Sequence, residues 1–273
     1  MQNSKDFLQL AGKVVVVTGS SAGIGEAIAL EFARQGCHLM LCGRDKERLN
    51  AVAAKCVETS GGESKVRTTD GDVLEKSVQQ KIVDETLKCF GQLDVLVNNV
   101  GTNVVRSAQT AAPEDYNVIM KTNMESIFFL TQLALPHIIK SKGNVVNISS
   151  IASENPMFAA IVYSMSKAAL DSYTKSLAME MAPHGVRVNS VNPGSVVSRL
   201  YLRGEEALTE EQYDQFKKNQ SSSSLHPLGR MVKASEVADA AVFLASTRAS
   251  FVTGQILFVD GGRHCVYAQP KLP

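Results

Sequence analysis

Four valines and a threonine, Val14 to Thr18, run without a break into Gly19-Ser20-Ser21-Ala22-Gly23-Ile24-Gly25, and helical spacing follows from Glu26 to Ala33. A continuous β-branched run that stops at glycine reads as a parallel strand buried on both faces. Strand, glycine-rich turn and helix together make the unit that presents helix N-terminal amides, and the positive end of the helix dipole, to a phosphate. The G-x-G-x-x-G dinucleotide spacing is not met, because Ile28 stands where its last glycine would fall. The spacing present is T-G-x-x-x-G-x-G. The Walker pattern fails as well, for want of Gly-Lys-Ser/Thr. Glycines at a strand–helix turn can be purely conformational, but three within seven residues after a valine run point to phosphate binding.

The alternation continues along the chain. Further strands are expected at 38–42, 65–69, 93–97, 143–150, 185–191 and 255–259, with helices at 45–60, 75–90, 113–140, 162–182 and 235–246. This pattern predicts an α/β fold, a doubly wound parallel seven-stranded sheet of Rossmann-like type with helices on both faces, in a single domain spanning 1–273. Residues 195–226 differ in character, with Glu205-Glu206, Glu210-Glu211, Lys217-Lys218 and the run Ser221 to Ser224. Too little follows for a second domain, so the segment reads as a lid over a site.

In such a sheet the carboxyl ends of the strands face the ligand crevice, and the residues there carry the chemistry. The second strand ends in Gly43-Arg44, where a carboxylate would accept from adenosine ribose hydroxyls; an arginine instead suits a 2′-phosphate. Asp72 follows the third strand and, with Glu75, also fits a capping box for the next helix. Asn98-Asn99-Val100-Gly101 ends the fourth strand, Ser149-Ser150 the fifth and Asn192-Pro193-Gly194 the sixth. Asn123 lies inside the 113–140 helical pattern, where asparagine is a poor helix former and asks for a tertiary reason. In the 162–182 helix, Tyr163 and Lys167 are spaced i, i+4 and share a face. An ammonium ~6 Å from a phenol, at an effective dielectric of ~20, favours the phenolate by about 3 kcal/mol, enough to bring its proton into play near neutral pH.

The 273 residues are 44% hydrophobic and 20% charged, with a net charge of +1. That balance gives no electrostatic argument for nucleic acid or for a membrane surface. The first residues carry no basic-then-apolar leader, and no apolar run approaches a bilayer span. Five cysteines without a C-x-x-C pair suit a reducing compartment, so cytoplasmic localisation is expected. Five scattered histidines outside any H-E-x-x-H pattern predict no metal site.

Taken in order, Thr18-Gly-x-x-x-Gly-x-Gly25, Asn98-Asn99-Val100-Gly101, Asn123, Ser150, Tyr163-x-x-x-Lys167, Asn192-Pro193-Gly194 and Val259-Asp260-Gly261-Gly262 resemble the short-chain dehydrogenase/reductase family, in its compact, single-domain, tyrosine-dependent subgroup. The resemblance runs from about Gly12 to Gly262. It implies that Tyr163 is the acid/base, Lys167 its activator and a holder of the nicotinamide ribose, Ser150 the group on the substrate oxygen, and Asn123 the anchor of a water relay. It places Gly19, Ser21, Ala22, Gly23, Ile24 and Gly25 at the pyrophosphate, Arg44 at the 2′-phosphate, and Asp72 and Val73 at the adenine. Asn99, Val100 and Gly101 fall beside the adenosine half, and Pro193, Gly194, Val196 and Ser198 near the nicotinamide. Val100 stands for the family's usual alanine and Ser198 for its usual threonine. Ala22 stands where many NADP-dependent members carry Lys or Arg, so an NADP(H) preference over NAD(H) rests on Gly43-Arg44. The implied activity is hydride transfer between NADPH and a carbonyl or secondary alcohol of a small, apolar substrate. Ile151, Asn155, Met157, Phe158, Ile161, Val197 and Leu200 flank the site in sequence, with Ile151, Asn155, Val197 and Leu200 taken as substrate contacts. A 3-oxoacyl-(acyl-carrier-protein) reductase and a catalytically silent dinucleotide-binding protein are the alternatives. A homo-oligomer, commonly a tetramer in this family, is the implied assembly.

Overall fold

The computed structural model describes residues 7–197 and 209–266. Its strands are β1 (Val14–Thr18), β2 (His38–Gly43), β3 (Val66–Asp70), β4 (Val95–Asn98), β5 (Asn144–Ile148), β6 (Arg187–Pro193) and β7 (Ile256–Val259). They form one seven-stranded sheet in the order β3-β2-β1-β4-β5-β6-β7, every neighbouring pair parallel. The helices are α1 (Gly23–Arg34), α2 (Lys46–Thr59), α3 (Lys76–Phe90), α4 (Pro113–Met120), α5 (Ser126–Ser141), α6 (Ile161–Met181), α7 (Glu210–Gln220) and α8 (Ala234–Ala245). The doubly wound α/β fold expected from the alternation is the fold observed. Strand order reverses between β1 and β4, which opens the crevice of the sheet at their carboxyl ends.

Period-2 geometry divides the valines of β1 between two cores. Val15 and Val17 pack with Ile28, Phe32, Leu41 and Val242 beneath α1 and α8. Val16 packs with Met40, Ile82, Leu96, Leu130 and Val145 beneath α3 and α5. All residues of β1, β4 and β5 are buried, and each fully buried aliphatic side chain contributes about 1.5–3 kcal/mol. Among the described residues no helix is long and apolar enough to cross a membrane.

Two local expectations change. The helical pattern 113–140 is interrupted: α4 and α5 are joined by a π turn over Lys121–Glu125, closed by Ser126 N–H donating to the Lys121 carbonyl. Asn123 lies in that turn, fully buried. Asp72 does not cap α3. Its Oδ1 accepts from Leu74 N at 3.0 Å, a local turn, and Glu75 takes the cap position with no side-chain bond. Aspartate competes well for a nearby backbone amide, and the turn two residues on satisfied it first.

Gly25 shows how tightly α1 is drawn onto the β1 turn. A Cβ there would fall inside the Gly19 carbonyl and 2.5 Å from Asn99 Nδ2. Gly25→Ala is therefore expected to lower Tm by several degrees. Unchanged thermal unfolding would show that the turn can relax without cost.

Candidate active site

The β1 turn is built without a side-chain cap. Gly19 (φ +64°) and Gly23 (φ +63°) adopt left-handed conformations suited to glycine. Ala22 occupies the N-cap of α1, and its methyl accepts nothing from the first-turn amides. Those amides and the helix dipole are left facing the cleft, an arrangement that calls for an anion. Ser20 ties the turn to β2, its Oγ accepting from Cys42 N at 3.0 Å. Asn99 ties it to β4: Nδ2 donates to the Thr18 carbonyl at 3.0 Å and to the Gly19 carbonyl at 3.2 Å, while Asn99 N donates to Thr18 Oγ1. The Asn99 side chain thus holds the turn and lines the cleft at once.

Directly after β2, Arg44 has its side chain 80% exposed and Nη1 3.7 Å from Asp72 Oδ2. An exposed pair at that separation is worth little, so the cation is available to a stronger acceptor. Gly43 lies beside Ser21, to which a Cβ would make an ordinary 3.4 Å contact. Val73 is buried in the core, its carbonyl accepting from Gln79 Nε2.

One cleft of about 490 Å³ joins the β1 turn to the catalytic candidates. Ala22, Gly23, Ile24, Asn99, Gly101, Ser150, Ile151, Tyr163, Lys167, Gly194 and Val197 line it, together with Met157. Gly19, Ser21, Gly25, Val100 and Pro193 are not among the lining residues, and Arg44, Asp72 and Val73 follow the ends of β2 and β3. Val196 is buried and bridged to Val232. Asn155 does not line the cleft; its Nδ2 donates to the His264 carbonyl at 3.3 Å. Ser198 and Leu200 lie outside the described residues.

Tyr163 and Lys167 sit one turn apart on α6, with Nζ 5.7 Å from the centre of the phenol ring. Lys167 is 3% exposed, and Nζ donates to the Ile148 carbonyl at 2.9 Å. Burial pulls its ammonium down from 10.5 to about 8, opposed by the nearby Asp171 carboxylate. Ser150 ends the β5 segment with Oγ accepting from Ala152 N at 3.1 Å, so its own O–H remains free to donate. Asn123 uses its whole amide. Oδ1 accepts from Thr102 N at 2.7 Å, and Nδ2 donates to the Thr102 carbonyl at 2.9 Å and to Ser166 Oγ at 3.0 Å. The mid-helix asparagine therefore clamps the β4 loop to α6.

Several contributors were not among the expected site residues. Asn192 Nδ2 donates to the Ser150 carbonyl (3.0 Å), to Ser153 Oγ (3.0 Å) and to Asp171 Oδ2 (2.7 Å), which couples the Ser150 loop to α6. Asp171 follows Lys167 by four residues, a spacing that could have identified it. Thr102, Asn103, Ser195 and Arg263 also line the cleft and add polar groups to the apolar face of Ile151, Met157 and Val197. Gln220, at the end of α7, accepts from Ser195 Oγ and Arg263 Nη1, each at 2.7 Å, and its carbonyl lies 2.6 Å from His226 Nδ1. These bonds fasten the described part of the 195–226 segment to the cleft rim. Nothing local in sequence marks Arg263, which arrives from beyond β7.

A family model described as enoyl-(acyl carrier protein) reductase matches residues 19–264. L-fucose dehydrogenase of Mus musculus is 37% identical over 260 residues, covering 95% of this chain and 91% of that protein. Among solved structures, a short-chain dehydrogenase/reductase of unknown function from Caenorhabditis elegans with cofactor superposes with a TM-score of 0.87 at 32% identity, covering 95% of this chain and 98% of that one. L-sorbose reductase from Gluconobacter frateurii, complexed with NADPH and L-sorbose, superposes with a TM-score of 0.86 at 30% identity, covering 93% and 97%.

Proposed function

The chain belongs to the short-chain dehydrogenase/reductase family of oxidoreductases, and from that premise we propose that it interconverts a carbonyl and a secondary alcohol on a small hydroxylated molecule, using NADP(H). The observation that carries this reading is that one cleft holds the Tyr163 phenol, the buried Lys167 ammonium, the Ser150 hydroxyl and the uncapped start of α1.

The residues present fit a dinucleotide. The first-turn amides of α1 would take the pyrophosphate, Gly23 leaves open space where a Cβ would stand, and Arg44 would meet a 2′-phosphate. Gly101 keeps the volume beside Lys167 clear, since a Cβ there would lie 3.5 Å from Nζ. With one N–H on Ile148, the ammonium has two left for the ribose hydroxyls. The bound cofactor supplies hydride chemistry at the nicotinamide. On the protein side, Ser150 O–H donates to the substrate oxygen, which strengthens as charge develops there. Tyr163 gives that oxygen its proton in reduction and takes it in oxidation, with Lys167 stabilising the phenolate. Asn192 and Asn123 act as positioning residues, holding the Ser150 loop and the β4 loop against α6.

For the substrate, Asn103, Ser195 and Arg263 share the cleft with Ile151, Met157 and Val197. That mixture favours hydroxyl groups on a short carbon skeleton, as L-fucose and L-sorbose have, over a wholly apolar ketone. Of the expected 195–226 lid, the described residues 209–226, fastened through Gln220, would serve as a lid over the site; residues 198–208 lie outside the described residues. A homo-oligomer is supported by the exposed Phe128, Phe129, Met165 and Met179. Purified protein tested with NADPH and NADH against ketoses, aldoses and simple ketones should consume NADPH with the hydroxylated compounds. Neither turnover nor NADPH binding across that panel would end the proposal.

The NADP(H) preference has its own test. Gly43→Asp would place a carboxylate beside Arg44, where it accepts from ribose hydroxyls and repels a 2′-phosphate. The NADPH-to-NADH ratio of kcat/KM is expected to fall about tenfold or more, the loss of one charge-assisted contact. A ratio that stays put would remove Arg44 as the discriminator.

A further inference from the structure

Behind the cleft, the turn that follows β7 brings together a nucleophile, a base and a carboxylate. Gly261 (φ +63°) and Gly262 (φ +86°) reverse the chain so that Arg263–Cys265 forms one 3-10 turn. Asp260 is 3% exposed and held by three donors: Gly262 N on Oδ1 at 3.0 Å, and His264 N and His264 Nδ1 on Oδ2 at 2.6 and 2.8 Å. The imidazole stacks on Phe258, with ring centres 4.3 Å apart and planes 16° from parallel. A ring that donates Nδ1–H to a carboxylate presents Nε2 as an acceptor. That Nε2 lies 3.2 Å from Cys265 Sγ.

Nucleophile, base and orienting carboxylate thus stand in the order that activates a thiol. Cys265 is exposed, whereas Cys37, Cys42 and Cys56 are buried. Burial pushes the Cys42 and Cys56 thiols up, that of Cys56 to about 12. Cys89 is the other exposed cysteine, and among the described residues no imidazole is hydrogen-bonded to it. A hollow of about 350 Å³ lined by Leu228, Arg230, Phe258 and His264 adjoins the imidazole and the Asp260 turn.

We propose that Cys265 is a site of S-thiolation by low-molecular-weight disulfides, with His264 as its base and Asp260 as the residue that orients the base. The imidazole takes the thiol proton as Sγ attacks one sulfur of the disulfide. A new S–S bond forms, the old one breaks, and the departing thiolate takes the proton from His264. Cys265 is oxidised to a mixed disulfide and one half of the reagent is reduced to a thiol. The site stands independently of the oxidoreductase reading.

The test treats the folded protein with oxidised glutathione at neutral pH and follows each cysteine by peptide mass mapping. Cys265 is expected to be thiolated about tenfold or more faster than Cys89, with the excess abolished in urea, where the relay is lost. His264→Gln should bring Cys265 close to the Cys89 rate and leave Cys89 unchanged. Equal rates at the two cysteines in the folded wild type, or an excess that survives in urea or in His264→Gln, would overturn the proposal.

Discussion

Tyr163→Phe is expected to lower kcat by about 10³-fold with NADPH binding unchanged, the typical size of a lost general acid/base. The substitution removes one oxygen and keeps the ring, which stands beside Lys167 at 5.7 Å and lines the cleft. The first-turn amides of α1, Arg44 and Gly101 are untouched, so cofactor affinity should hold. Because the proton moves only as the substrate oxygen changes its charge, kcat and kcat/KM should fall together. Titration of NADPH by its fluorescence, followed by turnover on the best substrate of the panel, measures both. Turnover equal to wild type would assign the proton to another group. Loss of NADPH affinity would mean that the phenol is a binding group first.

Lys167→Met is expected to abolish turnover and, at pH 7, to stabilise the fold. The buried ammonium titrates near 8 in the native state and at 10.5 in the unfolded chain. The unfolded state therefore binds more protons between those values, and native stability rises with pH across that window. Below about pH 8 the group lowers stability by its full amount, about 3 kcal/mol by linkage. Methionine removes that burden but leaves the Ile148 carbonyl without its donor, a loss of about 1–3 kcal/mol. The net is a small gain at pH 7. Asp171 retains its donors from Asn192 and Ser190. Denaturant unfolding at pH 7 and pH 10 gives the clearest reading: wild type should gain stability between the two, and Lys167→Met should gain less. Identical pH slopes would show that the ammonium is better solvated than its burial implies. On the proposed mechanism, the charge that would activate Tyr163 is also a stability cost, a trade common at active sites.

Much of this was legible in the sequence because the signals are local. The valine run, the glycine turn and the i, i+4 spacing of Tyr163 and Lys167 each depend on a few adjacent residues, and each lies on the element expected. The capping box that Asp72 and Glu75 suggest does not form, because two local bonds compete for one carboxylate and sequence does not rank them. Asn99 reads as a ligand-facing residue, yet its amide is directed to Thr18 and Gly19, partners some 80 positions away. Arg263 and Ser195 reach the cleft through the register of β6 and β7, which pairs Pro193 with Val259. No window of sequence carries that pairing. Asn123 stands out in the sequence as a misfit in a helix, but the form of the misfit, a π turn, and its clamp on Thr102 and Ser166 involve partners 21 and 43 positions away.

That turn has a consequence for the helices on either side. Each residue advances an α-helix by about 100°, so one extra residue in a turn offsets every later side chain by about that angle. The offset lets a single continuous rod present two unrelated stripes. Ile119 of α4 is buried ahead of the turn, and Leu130, Ala134 and Ile138 of α5 reach the core beyond it. The apolar spacing of α5 is therefore in phase with the sheet only while the inserted residue is present. Shortening Lys121–Glu125 by one residue would leave composition almost unchanged, yet would swing Phe128 and Phe129 away from their outward positions and turn the α5 stripe off the β4–β5 face. Insertions and deletions here act as a rotary setting, and the angle they set is shared by the clamp at Asn123 and by the outer surface of the molecule.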